Sequence, residues 1–432
     1  MLTFSATKIT NWSNEYLDYV SANKNKNKSV NRWYPILEGF SNGFVESILN
    51  EQERTNITCL DPFSGGGTTP LVCQANGIKC YGFEISPFMS QVCRAKLCTD
   101  YSSDEFIVLI NNIQNILESG IKHKFKIGLK TITKKSELEK WLFHKAAYNA
   151  LLNIRNAIDI TTATSPKYKD ILYVTLGSIL IQFSNVYRNG KALKYKDGWK
   201  EKIVKTKSVY ETFLNKCKEN VLVDIKEMED KGKVAKFDNT DFFVNGDCRQ
   251  LVDLLEDDSV DVVITSPPYL NSRDYTDSHM IELWMLGHVQ DYEDVRDLRK
   301  NTMRSHVQVR WGDYVLPQSE ILKHRIDKVL LNKEKFWNAG IPSMIAGYFC
   351  DLEELLVKLK AKMKRGGKLY INVANSSYFG VVIETDRIIE EIANNVGYEV
   401  CEIRMARKIK TSSQQTGKVK WLRETVIVLK KE

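Results

Sequence analysis

Nowhere in the chain do about 18 apolar residues follow one another, so nothing in it reads as a membrane-spanning helix. The first residues, MLTFSATKITNWSNEY, lack the basic start and apolar stretch of a secretory leader, and a cytoplasmic location is expected. Nine cysteines are present, yet no two stand as Cys-x-x-Cys and none keeps zinc-ligand spacing with a histidine. Scattered reduced thiols are therefore expected, without a metal; Cys93 and Cys98 fall on a helical pattern where packing is their ordinary role. Internal repeats are absent, and only the short SANKNKNKSVN run is low in complexity.

What the chain does have is length, a mild positive charge and a changing rhythm of apolar residues. At 432 residues it exceeds the size at which a single core usually stops growing, so one large domain with insertions, or two to three domains, is expected. The net charge is +8, and residues 101–240, with about 25 basic and about 16 acidic side chains, account for the whole excess. That distribution suits a phosphate-facing surface and equally a solvated, lysine-rich helical face.

In RWYPILEGFSNGFVESIL the apolar positions Ile36, Leu37, Phe40, Phe44, Val45 and Ile48 recur at helical spacing, which predicts an amphipathic helix entered through Pro35. NITCLDPFSGGGTTPLVCQANGIKCYGFEISP then reads as strand, glycine turn, helix and a second strand ending at Glu84. From 101 to 240 the pattern is mainly helical, over 103–119, 136–160 and 168–188, and reads as an insertion. The alternation resumes at 241, with DFFVNGD a strand, CRQLVDLL a helix and SVDVVITSPPY a strand. Residues 271–345 read as a second, irregular insertion. The helix DLEELLVKLKAKMK, a Gly-Gly turn, the strand KLYINVANS, a helix over 384–396 and strands near 398–406 and 421–430 follow. Such alternation predicts an α/β fold, its sheet mostly parallel and covered on both faces.

In LDPFSGGGTTP, Asp61 ends an apolar strand, and Gly65, Gly66 and Gly67 let the backbone turn sharply before a helix near Thr68. Dinucleotide phosphates bind at similar turns, but with glycines spaced G-x-G-x-x-G and no acid directly before them. An acid there would repel a phosphate and suit an ammonium or sulfonium. Glu84, ending the next strand, can accept both hydroxyls of a ribose. Asp247, directly after a third strand, can accept from an adenine amino group. S-adenosyl-L-methionine satisfies these hints together.

VDVVITSPPYL poses a separate puzzle, because a strand runs straight into Ser266, Pro267, Pro268 and Tyr269. Two prolines fix two φ angles and delete two N–H donors, leaving the Ser266 hydroxyl and nearby carbonyls as acceptors. An acceptor-rich, rigid edge is suited to receive an NH₂ group. Acceptors aimed at its hydrogens favour a localised lone pair on a nitrogen that is otherwise conjugated into a ring, and so stabilise the transition state of transfer to it. Tyr269 offers a face on which an extruded base can stack.

Together, Asp61-Pro62-Phe63 with the glycine loop, Glu84, Gly246-Asp247 and Thr265-Ser266-Pro267-Pro268-Tyr269 resemble the S-adenosylmethionine-dependent amino DNA methyltransferases, over about 30–95 and 241–432. The resemblance implies a Rossmann-like, seven-stranded, mostly parallel sheet with helical insertions. The cofactor would be held by Asp61, Pro62, Phe63, Gly65, Gly66, Gly67, Thr68, Glu84 and Asp247, and a base flipped from duplex DNA would enter the pocket formed by Ser266 to Tyr269. Trp33, Tyr34 and Phe40 fall where the family's N-terminal cofactor-pocket helix would lie. On this reading 1–100 hold that helix and the cofactor half, 101–240 the basic insertion and 241–432 the catalytic half.

The Ser-Pro-Pro-Tyr form is similar to that of the cytosine-N4 group, whereas adenine-N6 members usually begin the motif with Asp or Asn. A serine does not exclude adenine. A site-specific enzyme of restriction-modification or phage defence is implied, with duplex DNA as substrate and a cognate restriction endonuclease as partner. An enzyme acting on amino groups of RNA bases and a catalytically silent nucleic-acid-binding protein are the competing readings. One departure is the long insertion between Glu84 and Asp247, where the family often runs on directly. Target recognition then has two candidate regions: 101–240, with Arg188 and Lys191, and 271–345, with Arg273, Arg304 and Arg310. Each arginine alone is equally an ordinary ion pair.

Overall fold

The computed structural model describes residues 6–36, 39–54, 56–189, 192–230, 238–270, 274–309, 315–411 and 419–432. Eight strands make its main sheet: β1 (Ile9–Asn11), β2 (Thr58–Asp61), β3 (Lys79–Glu84), β4 (Phe243–Asn245), β5 (Val260–Thr265), β6 (Met363–Ala374), β7 (Tyr398–Lys410) and β8 (Trp421–Lys431). Their spatial order is β1-β7-β8-β6-β5-β2-β3-β4. Only the two pairings made by β8 are antiparallel; the other five are parallel. The mostly parallel, Rossmann-like sheet expected from the sequence is thus present, and the short β1 adds an eighth strand beside β7.

Period-two alternation sorts the sheet's side chains onto two faces. Leu60, Val263, Leu369, Ile371, Ile427 and Leu429 point to one side, where the helices Ile341–Lys362 and Thr385–Val396 cover them. Their sequence neighbours Cys59, Val262, Ile264, Tyr370, Val426 and Val428 point to the other, against Phe44, Val45, Ile48 and Val72. Both faces are dry, which is why the parallel strands read as nearly unbroken apolar runs.

Residues 101–240 build a further core. Helices Ser103–Glu118, Lys145–Thr161, Pro166–Phe183 and Thr206–Lys216 pack on one another and on the sheet-flanking helix Pro87–Leu97. A Cβ on Gly177 would come within 2.9 Å of the Phe88 ring, so the two helices need this glycine to approach. Arg94 and Gln91 both reach Asp170 across that seam. The insertion is joined to the N-terminal segment by the fully buried Asp224, whose carboxylate accepts from Val30 N–H, from two nitrogens of Arg32 and from the Trp33 indole.

Several boundaries differ from expectation. The helix expected from Ile36 begins only at Asn42, because Gly39 takes φ +111° and Ser41 is extended. The helix expected over 136–160 begins at Lys145; before it, Leu142 and Phe143 donate to the carbonyls of Thr131 and Ile132 and hold the chain extended. Residues 271–345, read as irregular, contain helices Met280–Met285, Tyr292–Asn301 and Glu320–Leu330, the latter two started by the side-chain caps Asp291 and Ser319. The thiols are less scattered than their spacing suggests, since the sulfurs of buried Cys59, Cys73 and Cys80 all lie within 4.8 Å of one another. Among the described residues no helix is long and apolar enough to cross a membrane.

Candidate active site

Four parallel strands end at the same edge of the sheet, and each delivers part of one site. Asp61 closes β2, Glu84 closes β3, Gly246 and Asp247 follow β4, and Ser266 to Tyr269 follow β5. From β2 the chain steps to β3 and β4 on one side, then returns to β5 on the other, so a crevice opens at the carboxyl ends where the order reverses. It is a cavity of about 440 Å³, within the range of about 300–1,000 Å³ usual for small-molecule sites.

The glycine turn forms its floor. Gly65 (φ +52°) and Gly67 (φ +85°) adopt a left-handed backbone that other residues resist. A Cβ on Gly67 would meet the Cys93 sulfur at 2.4 Å and one on Gly66 would meet Ile36 at 1.6 Å, while Gly65 has open space beside it. Gly65 thus presents bare backbone to the cavity. Lys96, buried beneath, donates to the Gly66 carbonyl at 3.4 Å, and burial lowers its pKa to about 8.

Glu84 ties the turn to β3. One carboxylate oxygen accepts from Gly65 N–H and the other from Ser86 N–H, both at 2.8 Å. Burial raises its pKa to about 7 against the pull of those two donors, and burial likewise raises Asp61 to about 7. Asp61 also receives the Thr265 hydroxyl at 2.8 Å, which locks the glycine turn to the strand carrying the second motif. Asp247 caps the short helix Cys248–Leu251, and both its oxygens accept from the Arg249 guanidinium, which also reaches Asp351.

Past β5, Ser266, Pro267, Pro268 and Tyr269 line the same cavity. The Tyr269 hydroxyl is anchored by the buried carboxylate of Glu424 at 2.5 Å and receives Asn372 Nδ2 at 3.1 Å. Arg407 closes the group by donating to the other Glu424 oxygen at 2.5 Å. The ring is therefore held in one place as part of the wall. Facing it, the segment just after the loop contributes Asp274, Thr276, His279 and His306; burial, then the nearby Arg188 charge, lowers the His279 pKa to about 3, so its imidazole is neutral.

Of the residues singled out in the sequence, Asp61, Pro62, Phe63, Gly65, Gly66, Thr68, Glu84, Asp247, Tyr34 and Phe40 all line this cavity with Ser266 to Tyr269. Gly67 lies behind the turn, against Cys93. Trp33 does not reach the cavity; its indole is buried against the insertion, donating to Asp224 at 2.7 Å. Arg188 is not an outward-facing cation either, since its guanidinium turns inward to Glu282, fully buried, and to the Tyr34 hydroxyl at 2.9 Å. Arg304 is bound to the buried Asp351 at 2.9 Å. Lys191, Arg273 and Arg310 lie outside the described residues. Glu424, Arg407 and Asn372 escape a reading of the sequence; their only signal is a glutamate heading the apolar run TVIVL.

No family model matches the chain. Its curated relatives are type II methyltransferases. The chain is 28% identical to the type II methyltransferase M.BsoBI of Geobacillus stearothermophilus over 444 residues, covering 92% of this chain and 84% of that one. It is 26% identical to the type II methyltransferase M.AvaI of Nostoc sp. over 465 residues, covering 95% and 88%. Among solved structures, a putative DNA modification methylase of Thermus thermophilus complexed with S-adenosyl-L-methionine overlaps with a TM-score of 0.23, 16% identity and coverage of 43% and 53%. The rRNA methyltransferase aviRa of Streptomyces viridochromogenes overlaps with a TM-score of 0.28, 9% identity and coverage of 92% and 87%.

Proposed function

We propose that the protein is a site-specific DNA methyltransferase of a restriction-modification system, transferring a methyl group from S-adenosyl-L-methionine to the N4 amino group of a cytosine flipped out of duplex DNA. The observation that carries this reading is the joining of two motifs in one cavity: the turn bearing Gly65 with Glu84, and Ser266 to Tyr269, coupled by the 2.8 Å bond from Thr265 to Asp61. Full-length similarity to type II methyltransferases supports the reaction, and serine at the head of the second motif supports cytosine.

The residues present fit the cofactor. Bare backbone at Gly65 allows close approach, Glu84 keeps acceptor capacity beyond its two N–H partners for ribose hydroxyls, and Asp61 suits a cationic sulfonium. When bound, the cofactor supplies an electrophilic methyl group. Ser266 and the adjoining carbonyls accept from the hydrogens of the target amino group, which localises its lone pair and stabilises the positive charge that develops on it. Tyr269, fixed through Glu424 and Asn372, stacks on the base and excludes water from one of its faces. Segment 274–306 completes the base pocket, and target recognition keeps its two candidate regions, the basic insertion 101–240 and 271–345.

The two raised carboxyls give this reading a pH signature. Without ligand, Asp61 and Glu84 hold their protons up to about pH 7, against ordinary values of 3.8 and 4.5, so their contribution to folding is present below those values and is lost as pH rises towards 7. Cofactor binding needs the ionised forms and runs the opposite way. Calorimetry is expected to show affinity falling by up to about tenfold per pH unit below 7 for each of the two carboxyls, about a hundredfold for both, and levelling above it; an affinity flat from pH 6 to 8 would remove both carboxylates from the binding site.

The reading is tested by expressing the chain in a host without DNA methylation and analysing hydrolysed genomic DNA by mass spectrometry, with single-molecule sequencing to find the site. N4-methylcytosine in one sequence context is expected. N6-methyladenine would overturn the base and leave the reaction, and unmodified DNA would overturn the reading.

A further inference from the structure

Strands β7 and β8 outrun the sheet. β6 pairs with β8 only from Glu424 to Lys430, whereas β7 and β8 remain paired out to Lys410 and Trp421. Glu424 lies opposite Ala374, the last residue of β6, and β6 runs parallel to β5. The extra length is thus a two-stranded ribbon projecting past the edge where Ser266 to Tyr269 sit.

The two faces of the ribbon differ in kind. Lys408 stands directly opposite Arg423, and Lys410 opposite Trp421, so these four side chains share one face. Lys408 and Lys410 are exposed, and the Trp421 indole is 58% exposed, an unusual state for the largest apolar side chain. The opposite face carries Arg407 and Glu424, the pair that lines the cavity and anchors Tyr269. Asp386 already holds Arg423. What the outer face offers is two lysines beside an exposed aromatic, on the side of the ribbon turned away from the cavity.

We propose that this ribbon is a DNA-contact arm: Lys408 and Lys410 neutralise phosphates of the duplex outside the cavity, and Trp421 lies against the nucleotide beside them. The proposal rests on the reading of the cavity as a base-methylating site. Charge complementarity commits the face to a polyanion, and the projection of the ribbon past the sheet edge that carries Ser266 to Tyr269 sets that polyanion on the side of the molecule where the cavity opens.

The test is equilibrium binding of a fluorescent duplex containing the recognition sequence, across a salt series, for the wild type, K408Q/K410Q and W421A. The double variant is expected to bind at least about tenfold more weakly at low salt and to flatten the plot of log affinity against log salt by nearly two, about 0.9 for each phosphate no longer neutralised. W421A is expected to weaken binding about fivefold or more with the slope unchanged. Both changes are on the surface, and calorimetric affinity for S-adenosyl-L-methionine should match the wild type, which checks that each variant is folded. If the wild type methylates the duplex while the double variant keeps wild-type affinity and slope, the arm is overturned and the enzymatic reading stands. If the wild type neither binds nor methylates duplex DNA, both fall.

Discussion

Replacing Tyr269 with alanine is expected to slow methyl transfer to duplex DNA by about 5- to 150-fold while leaving affinity for S-adenosyl-L-methionine within about twofold of wild type. The range follows from base–aromatic stacking of about 1–3 kcal/mol, at 1.36 kcal/mol for each factor of ten in rate. The phenolic group adds a second effect that a phenylalanine variant separates. Tyr269→Phe keeps the stacking face but removes the hydroxyl that Glu424 accepts at 2.5 Å, leaving Asn372 and Arg407 as the remaining donors to that buried carboxylate. A stability loss of about 1–3 kcal/mol is expected for phenylalanine, with a smaller loss of rate than for alanine. Single-turnover kinetics with calorimetry distinguishes the two roles. If alanine abolishes cofactor binding, the stacking assignment is wrong and Tyr269 is part of the cofactor site.

Glu84→Ala is expected to weaken S-adenosyl-L-methionine binding by about 10²- to 10⁴-fold. Two ribose hydroxyls donating to a carboxylate are charge-assisted bonds of about 1.5–3 kcal/mol each, together about 3–6 kcal/mol. The same carboxylate holds Gly65 N–H and Ser86 N–H at 2.8 Å, so its removal also loosens the turn on which the ligand lies. Glu84→Gln should fall between the two: its carbonyl can keep one of those N–H groups, but its NH₂ opposes the other. Because the carboxylate is assigned to the ribose and not to the reacting amino group, the loss should appear in KM for the cofactor and be largely recovered at saturation, with kcat much less affected. A wild-type dissociation constant for Glu84→Ala would refute the ribose assignment.

The contrast between neighbours in sequence shows where local reading stops. Trp33 and Tyr34 look equally suited to a ligand pocket, yet a 3-10 turn over Asn31–Trp33 sends the first into the insertion and the second into the cavity. What separates them is Asp224, 191 residues along the chain. Arg188 and Arg304 look like phosphate contacts for the same reason that they serve as counter-ions to buried carboxylates. A guanidinium suits phosphate and carboxylate alike, and only the position of Glu282 or Asp351 decides between them.

Local residue pattern is enough to specify the α/β alternation, the mostly parallel sheet, the glycine turn before a helix, and the two polar motifs at strand ends. These are short-range matters, set by backbone freedom at glycine, by the donors that proline lacks and by apolar runs that only a doubly covered sheet can bury. In a parallel sheet such motifs must also share an edge, which is why their meeting could be anticipated. Tertiary packing set what stands behind and beside them: Glu424 under Tyr269 from 155 residues away, Lys96 beneath Gly66, three thiols drawn together, and a ribbon with one face on the cavity and two exposed lysines on the other. For each of these a side chain has several chemically equivalent partners in the sequence. Strand register and helix packing select one among them, and neither is written in the residues around it.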